Sequence, residues 1–329
     1  MKNNKVTALA FIILLVLLAA CDQPPRLTEL PSTSDELCAG TGGIPMVFTS
    51  ADGAELGFVA YQQRDKPATT ALIYLHGIES HAGWFDCAAR MLRDKGYDVF
   101  CLDRRGSGIN RENRNFTSGH IANFDILIAD INAFLQQKIS DYQHIILVGL
   151  SWGGKLAYTY NLIHPDDFDG LILITPGLVS KVDVNLPTKL CIFSASLIKP
   201  TTGFDLPIAT EMFTTTPRYN EWIKKDPLRN HQASAKFLME SNRMDGFIKK
   251  NGHRSRASTL LFLAGNDEII DNEAVLTLLQ NSPDNNLSLV TYQEQTHSIQ
   301  FDAPEKMTAD MDNWLQQYII LPGEITDEN

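Results

Sequence analysis

The sequence of 329 residues predicts an α/β fold, in which helices cover both faces of a mostly parallel sheet. Apolar runs recur along the chain without polar alternation, as is typical of strands buried on both faces of a parallel sheet. Helical patterns lie between these runs, and this alternation predicts a doubly wound arrangement. One connection, between Gly177 and Thr259, is far longer than an ordinary crossover and contains helical stretches. We therefore expect one core with a helical cap inserted into it.

The strands are predicted in chain order, beginning with a hairpin. Residues 46–50 and 56–62 flank the turn Asp52-Gly53 and form the first two strands. Apolar runs predict six more strands, which makes eight, at 71–77, 97–103, 144–150, 170–177, 259–265 and 287–293. Helical periodicity predicts five core helices, at 83–95, 124–139, 153–163, 272–281 and 305–319.

The cap is predicted over residues 179–257, after the sixth strand, so that the core consists of residues 45–178 and 258–322. It contains helical patterns at 218–226 and 232–242. Its 13 lysines and arginines outnumber its 7 acidic residues and give it a net charge of +6, although the whole chain carries −11. A basic cap suits contact with anionic lipid headgroups. A solvated helical surface with a chance excess of basic residues is the alternative.

The net negative charge of the chain indicates which classes of partner it can bind. No long basic run accompanies the net charge of −11, which argues against nucleic acid as a partner.

The first 20 residues have the features of a signal peptide. Lys2 and Lys5 precede the apolar run Val6–Ala20, which would span about 22 Å as a helix, less than the ~30 Å of a bilayer core. The sequence Leu18-Ala19-Ala20-Cys21 resembles a bacterial lipobox, which implies that Cys21 carries lipid and anchors the protein at a membrane, facing the periplasm. An ordinary secretory signal with an incidental Cys21 is the alternative.

Two features follow the proposed lipidation site. Asp22 resembles an inner-membrane retention signal of enteric-type lipoproteins. Residues 21–44 are rich in Pro, Ser, Thr and Gly and have no periodicity, so we interpret them as a flexible tether.

Four cysteines follow the tether's start: Cys38, Cys87, Cys101 and Cys191. Their spacing matches no zinc site, and an exported protein would meet an oxidising compartment. Four cysteines allow three pairings, and the sequence does not select one. The Cys87–Cys101 pair is weakly favoured, because a helix start and a strand end could meet at one end of the sheet.

The stretch 149–153, Gly-Leu-Ser-Trp-Gly, comes directly after a predicted strand and directly before a predicted helix. A G-x-S-x-G motif in that context thrusts its serine out at a strained turn. The following helix N-terminus would favour the negative charge that develops on a nucleophile there. Ser151 is therefore the candidate nucleophile, and a small residue in a tight turn is the alternative.

A serine nucleophile needs a base and a carboxylate that orients the base. His297 follows the last predicted strand, where the base of such a triad belongs. Asp267 lies on the loop after the preceding strand and is the favoured acid; Glu268 is the second choice. We expect Asp271 to cap the next helix.

The negative oxygen of the transition state requires N–H donors. The main-chain N–H of Trp152, directly after the nucleophile, is one candidate. The N–H of Ile78, in the loop after the third strand, is the other. His76, in the same loop, precedes Ser151 in the chain and is interpreted as a hydrogen-bonding residue that shapes the loop.

Together these residues resemble the α/β-hydrolase family, and within it the branch of monoacylglycerol lipases and lysophospholipases. The resemblance covers residues 45–320. It rests on His76-Gly77, the 103–108 loop Asp-Arg-Arg-Gly-Ser-Gly, the 149–153 elbow, Gly265-Asn266-Asp267, Thr296-His297-Ser298, and the cap segment 218–238. It implies an eight-stranded α/β-hydrolase fold and a cap over an acyl-chain pocket.

The sequence departs from that branch at two places. The branch usually has His-Gly-x-Gly-Glu-His where residues 76–81 read His-Gly-Ile-Glu-Ser-His, which puts the shape of the oxyanion loop and the substrate preference in question. Asn110 stands where the family usually has serine, and either residue can close that turn.

The sequence thus predicts a membrane-tethered serine hydrolase that cleaves a lysophospholipid or monoacylglycerol, with no metal or organic cofactor. A peptidase, amidase or thioesterase using the same triad is an alternative, because the fold also supports those reactions. A tethered binding protein whose triad is a relict is a third hypothesis, and the intact set of candidate residues argues against it.

Overall fold

The computed structural model describes residues 42–63, 66–281 and 286–320, and one eight-stranded sheet lies at its centre. Buried apolar runs form the inner strands, and in the third and seventh strands every side chain is buried. The strands are β1 Ile44–Thr49, β2 Glu55–Tyr61, β3 Thr70–Leu75, β4 Asp98–Leu102, β5 His144–Leu150, β6 Gly170–Ile174, β7 Thr259–Ala264 and β8 Leu287–Tyr292.

The spatial order of the strands is β1-β2-β4-β3-β5-β6-β7-β8. The hairpin β1–β2 is antiparallel, turns at Gly53 with φ +84°, and pairs antiparallel with β4. All later neighbours are parallel. The carboxyl ends of β3 to β8 therefore lie along one edge of the sheet, which is where α/β folds of this kind bind ligands.

Helices cover both faces of the sheet, and each face has its own apolar core. Asn123 caps the second helix by accepting a hydrogen bond from the Ile126 N–H at 2.9 Å, and Asp271 caps the eighth in the same way through Ala274, as expected. The core helices are α1 Asp86–Asp94, α2 Phe124–Phe134, α3 Trp152–Ile163, α8 Asn272–Gln280, α9 Ile299–Asp302 and α10 Pro304–Leu315.

Between β6 and β7 the chain forms four helices, namely α4 Leu186–Ile198, α5 Thr210–Phe213, α6 Pro217–Lys225 and α7 Ala235–Asn251. A small antiparallel pair, Gly203–Asp205 with Gln232–Ser234, joins two parts of this segment. Helix α7 packs on α3, which starts at the candidate nucleophile: the Trp152 and Phe237 rings lie 4.8 Å apart and Trp152 Nε1 donates to Ser241. We call residues 179–257 the cap.

The predicted fold class is confirmed, including all eight strands to within three residues at either end. The helices differ in places. The helix expected at 232–242 begins at Ala235 and runs to Asn251, because Gln232–Ser234 pairs as a strand first. Helices α4, α5 and α9 were not predicted. Cys21, Asp22 and Cys38 lie outside the described residues. Among the residues that the structure does describe, no helix is both long and apolar enough to span a bilayer.

Candidate active site

Ser151 stands at a strained turn between β5 and α3. Its φ of 55° and ψ of −123° are unusual for a residue with a side chain. The turn is fixed by its own main chain: the Ser151 N–H donates to Ile174 at 3.0 Å, and its carbonyl accepts from Gly154 at 2.9 Å and Gly177 at 2.7 Å. The hydroxyl is thus presented at the carboxyl edge of the sheet.

Two glycines make this turn possible. A Cβ on Gly153 would lie 2.0 Å from the Leu75 carbonyl oxygen, and one on Gly149 would lie 2.6 Å from the Gly154 Cα. Any side chain at either position would therefore push α3 away from the sheet. This is the physical reason for the glycine spacing noted in the sequence.

His297 and Asp267 form a fully buried pair on the neighbouring loops. His297 Nδ1 lies 2.8 Å from Asp267 Oδ2, and neither side chain is exposed. The other carboxylate oxygen accepts from the Ile269 and Ile270 N–H groups at 2.8 and 3.0 Å. Burial acts to raise the pKa of Asp267, but His297 and these hydrogen bonds outweigh it, so the pKa lies below its usual value.

This pairing determines which nitrogen of His297 can act as a base. With Nδ1–H donating to the ionised Asp267, Nε2 carries the free lone pair. Nε2 is buried and has no hydrogen-bond partner among the described residues, Ser151 included. A buried acceptor without a partner is costly, so the unpartnered Nε2 indicates an atom kept available for a proton.

The loop after β3 passes directly beside the nucleophile. A Cβ on Gly77 would lie 3.3 Å from the Ser151 Cβ, which places Ile78 next to the elbow. The Ile78 N–H makes no hydrogen bond to the described residues. The Trp152 N–H, as the first of helix α3, has no acceptor within the helix. Both proposed donors are therefore available at the site.

His76 shapes this loop. Its Nδ1 lies 2.8 Å from the Gly77 carbonyl, and its Nε2 accepts from the Arg104 N–H at 3.2 Å. Burial, helped by the Arg104 charge, lowers the pKa of His76 well below its usual value. A neutral, fully engaged imidazole of this kind holds a loop in place and is not free to accept a proton from Ser151.

Glu79 and Arg229 form a buried ion pair that ties the oxyanion loop to the cap. Arg229 Nη2 lies 2.6 Å from Glu79 Oε2, with 3% and 1% of the two side chains exposed. Arg229 also donates to Thr210 at 2.7 Å, and its Cζ lies 5.4 Å from the centroid of the Phe213 ring. Burial raises the pKa of Glu79 to about 7, against the effect of Arg229.

A second tie lies two residues further along the loop. His81 Nε2 and Asp226 Oδ2 are 2.9 Å apart, and the Trp84 indole donates to the same oxygen at 2.7 Å. Burial acts to lower the pKa of His81, but Asp226 outweighs it and raises the pKa above its usual value. The same pairing leaves the pKa of Asp226 lowered, although burial alone would raise it.

The structure pairs His297 with Asp267 and places the loop that carries Ile78 beside Ser151, which Trp152 follows directly. Glu268, the second choice for the acid, is exposed to solvent. The sequence pattern does not identify Arg229 or Asp226, which are separated from their partners by 150 and 145 residues. The misplaced acid at Glu79, in a loop where the branch has glycine, was the one available signal.

The favoured disulfide is wrong. Cys101 is a buried free thiol, whereas Cys87 is disulfide-bonded. Cys101 lies inside β4 and is packed in the core on one face of the sheet. Cys87 packs against the core on the other face, which is the physical reason why the two cysteines do not pair.

Comparison with known proteins gives one family and a consistent set of relatives. The family model for serine aminopeptidase, S33, matches residues 66–304. The chain is 25% identical to monoglyceride lipase of Rattus norvegicus over 292 residues, which cover 84% of this chain and 91% of that protein. It is 23% identical to phospholipase YtpA of Bacillus subtilis over 244 residues, covering 74% and 92%.

Solved structures agree on the fold. A monoacylglycerol lipase from Paleococcus ferrophilus superposes with a TM-score of 0.70 at 18% identity, over 79% of this chain and 98% of that one. A soluble variant of monoglyceride lipase from Saccharomyces cerevisiae, in complex with a substrate analog, gives 0.71 at 17% identity, over 89% and 98%. The mostly parallel sheet with flanking helices is thus the α/β-hydrolase fold.

Proposed function

The chain belongs to the serine aminopeptidase S33 family, and from this and the site geometry we propose that it is a serine hydrolase of lipid carboxylic esters. Its substrate would be a lysophospholipid or a monoacylglycerol. The observation that carries the proposal is the fully buried His297, which donates to Asp267 and keeps Nε2 without a partner among the described residues. The rat and yeast relatives are named monoglyceride lipases, and this favours an ester over an amide.

The reaction follows from these positions. Ser151 Oγ attacks the ester carbonyl while His297 Nε2 takes its proton, and Asp267 stabilises the imidazolium. The Ile78 and Trp152 N–H groups hold the oxyanion, each donor contributing roughly 3 kcal/mol to the transition state. The C–O bond then breaks, His297 protonates the leaving alcohol, and an acyl-enzyme remains on Ser151. Water, deprotonated by His297, attacks that ester; the bond between the acyl carbon and Ser151 Oγ breaks, His297 returns the proton to Oγ, and the acid is released.

The reaction can be tested with p-nitrophenyl esters of two to sixteen carbons, assayed with wild type and Ser151→Ala made without residues 1–21. We expect the variant to lose turnover by about a million-fold, as when a triad serine is removed elsewhere. Preference for long chains would support a lipid substrate. If no ester is cleaved but amides or thioesters are, the peptidase, amidase or thioesterase hypothesis replaces this one. Failure of a phosphonate to label Ser151 would favour the binding-protein hypothesis.

Helix α4 supports a lipid surface as the source of substrate. Five of its apolar side chains are between 51% and 71% exposed: Leu186, Leu190, Phe193, Leu197 and Ile198. Residues 186, 190, 193 and 197 recur at helical spacing and so share one face. Lys189 and Lys199 are exposed on or beside the same helix. An apolar face bordered by lysines is complementary to an anionic membrane, which gives the basic cap a specific contact surface.

This contact can be tested with the double variant Leu190→Ser, Phe193→Ser. We expect weaker binding to vesicles that contain anionic lipid and slower hydrolysis of lipid in them, because each buried side chain stabilises the bound state by about 1.5–3 kcal/mol. Hydrolysis of a water-soluble ester should not change. If vesicle binding is unaltered but a wild-type dimer dissociates, the face is a contact between copies of this chain.

We further propose that Cys21 carries lipid and holds the enzyme at the periplasmic face of a bacterial membrane, the inner membrane if Asp22 acts as a retention signal. The disulfide at Cys87 supports export to an oxidising compartment. Incorporation of labelled palmitate into wild type, and its absence from Cys21→Ala, is the expected result. Equal labelling of both would leave an ordinary secretory signal as the better interpretation.

A further inference from the structure

Arg104 lies two residues after β4 and contacts the residues that bear both proposed oxyanion donors. Its guanidinium donates from Nη1 to the Gly77 carbonyl at 2.7 Å and from Nη2 to the Ile78 carbonyl. Its Cζ lies 5.1 Å from the centroid of the Trp152 ring and 5.4 Å from that of Phe237. One side chain thus braces the peptide that follows Gly77 and the residue that follows the nucleophile.

The charge of Arg104 is buried without a carboxylate partner within residues 42–63, 66–281 and 286–320. The residue is 8% exposed, and its Nε makes no hydrogen bond to that part of the chain. The preceding Asp103 is committed elsewhere: it accepts from the Ala82 and Ile109 N–H groups at 2.7 and 2.8 Å. Burial lowers the pKa of Arg104 to about 9, against the effect of Asp103.

We propose that Arg104 is a positioning residue for the oxyanion hole: its guanidinium fork fixes the carbonyls of Gly77 and Ile78, and its charge favours negative oxygen at the adjacent donors. The inference rests on the proposed function. Without such a brace, the orientation of the loop would depend on a segment that has Glu79 where the similar branch has a glycine. A rigid fork can hold two successive carbonyls at once, whereas a lysine ammonium is a single point of charge.

A preorganised charge acts on the transition state more than on the bound substrate, because negative charge on the oxygen develops only there. Loss of Arg104 should therefore lower kcat and leave KM nearly unchanged. It should also weaken a trifluoromethyl ketone, whose adduct with Ser151 carries the same oxyanion, by the same factor.

The test uses Arg104→Lys and Arg104→Met, with active sites counted by phosphonate titration so that misfolded protein does not enter kcat. We expect Arg104→Met to lower kcat per titrated site by about 100-fold, the loss typical of one oxyanion donor. Arg104→Lys keeps the charge but not the fork, so its kcat per titrated site should lie between those of wild type and Arg104→Met. The inhibition constant of the ketone should rise in proportion to KM/kcat.

Arg105→Lys is the matched control, since Arg105 pairs with Asp52 and Asp130 and contacts neither donor. It should lose thermal stability and keep kcat per site. If Arg104→Met fails to fold, Arg104→Lys still decides: unchanged kcat and unchanged ketone affinity would overturn the proposal, as would a change confined to KM. Wild type that neither titrates nor cleaves any ester would instead overturn the proposed function.

Discussion

The two sides of Ser151 are held in different ways. On the side of the base, the Asp267–His297 pair lies wholly within the core, on loops after β7 and β8. On the side of the oxyanion loop, the pairs Glu79–Arg229 and His81–Asp226 join the core to the cap. The cap also reaches the base side, through hydrogen bonds to main-chain carbonyls and N–H groups: the Phe213 carbonyl accepts from the Ser298 N–H at 2.7 Å, and Lys181 Nζ donates to the Asp267 carbonyl at 2.7 Å.

This difference indicates that proton transfer and stabilisation of the oxyanion depend on different parts of the structure. The strand order of the sheet brings the base and its acid together, because both loops continue from adjacent parallel strands. The oxyanion loop depends on ion pairs to a separate segment, so anything that shifts the cap should alter stabilisation of the oxyanion before it alters proton transfer. Three substitutions test this division, and their expected effects decrease in the order Asp267→Asn, Arg229→Met, His81→Asn.

Asp267→Asn breaks the core pair. We expect kcat to fall by about 10,000-fold, because an amide favours the wrong tautomer of His297. Folding should be little affected by an isosteric change. Steady-state kinetics on a p-nitrophenyl ester measures the effect, with the exposed neighbour Glu268→Gln as control. If Glu268→Gln is the more damaging of the two, the acid has been assigned wrongly.

Arg229→Met breaks the first tie between core and cap. It leaves Glu79 buried without its cation, which typically costs about 3–5 kcal/mol of unfolding free energy. Because the pKa of Glu79 is about 7 even with Arg229 present, the loss should be smaller at pH 6, where Glu79 can be neutral. Denaturant unfolding at pH 6 and pH 8 measures this, together with kcat per titrated site.

Two further variants make the Arg229 test specific. Adding Glu79→Gln should restore part of the stability at pH 8, since no uncompensated charge then remains. Lys224→Met removes a cap ion pair to Glu211 that is largely exposed, and it should have little effect. Equal losses from Arg229→Met and Lys224→Met would contradict a special role for the buried tie.

The His81–Asp226 pair should make stability depend on pH. A His whose folded pKa is raised contributes stability that is complete below its unfolded pKa and is lost as pH rises through the folded value. Asp226, whose pKa is lowered, contributes above its unfolded pKa and loses that contribution only in acid. We therefore expect the melting temperature to fall between pH 6 and pH 9, by about 2–4 °C for each kcal/mol lost.

His81→Asn should flatten that dependence, as differential scanning calorimetry across the same pH range would show. His164→Asn is the matched control, because His164 faces Asp167 at 3.4 Å on a surface where a third of each side chain is exposed. If the melting temperature of His81→Asn depends on pH as strongly as that of wild type, another titrating group causes the dependence.

Much of this arrangement could be predicted from the sequence. Continuous apolar runs located six strands of the sheet, and the turn Asp52-Gly53 located the first two. The order of Ser151, Asp267 and His297 along the chain indicated how parallel strand ends would bring them together. These signals consist of neighbouring or periodically spaced residues, so they can be recognised in the sequence alone. The capping role of Asp271 is of the same kind.

The rest depends on contacts that no local pattern reports. Glu79 and Arg229 are 150 residues apart, and each by itself resembles an ordinary surface charge. Helix α4 carries apolar residues on its exposed face as well as its buried one, where Cys191, Ile192 and Ala195 pack, so its sequence lacks one-sided periodicity. The disulfide partner of Cys87 was equally beyond reach, because spacing alone does not select a pairing.

The backbone of Ser151 has a consequence for how this enzyme could change over time. A side-chain-bearing residue at φ 55° and ψ −123° costs on the order of 1–3 kcal/mol, and glycine there would remove that cost while abolishing the chemistry. Selection for a more stable fold and selection for turnover therefore oppose each other at this residue. A lineage in which the activity was no longer needed would have a thermodynamic reason to lose its serine first.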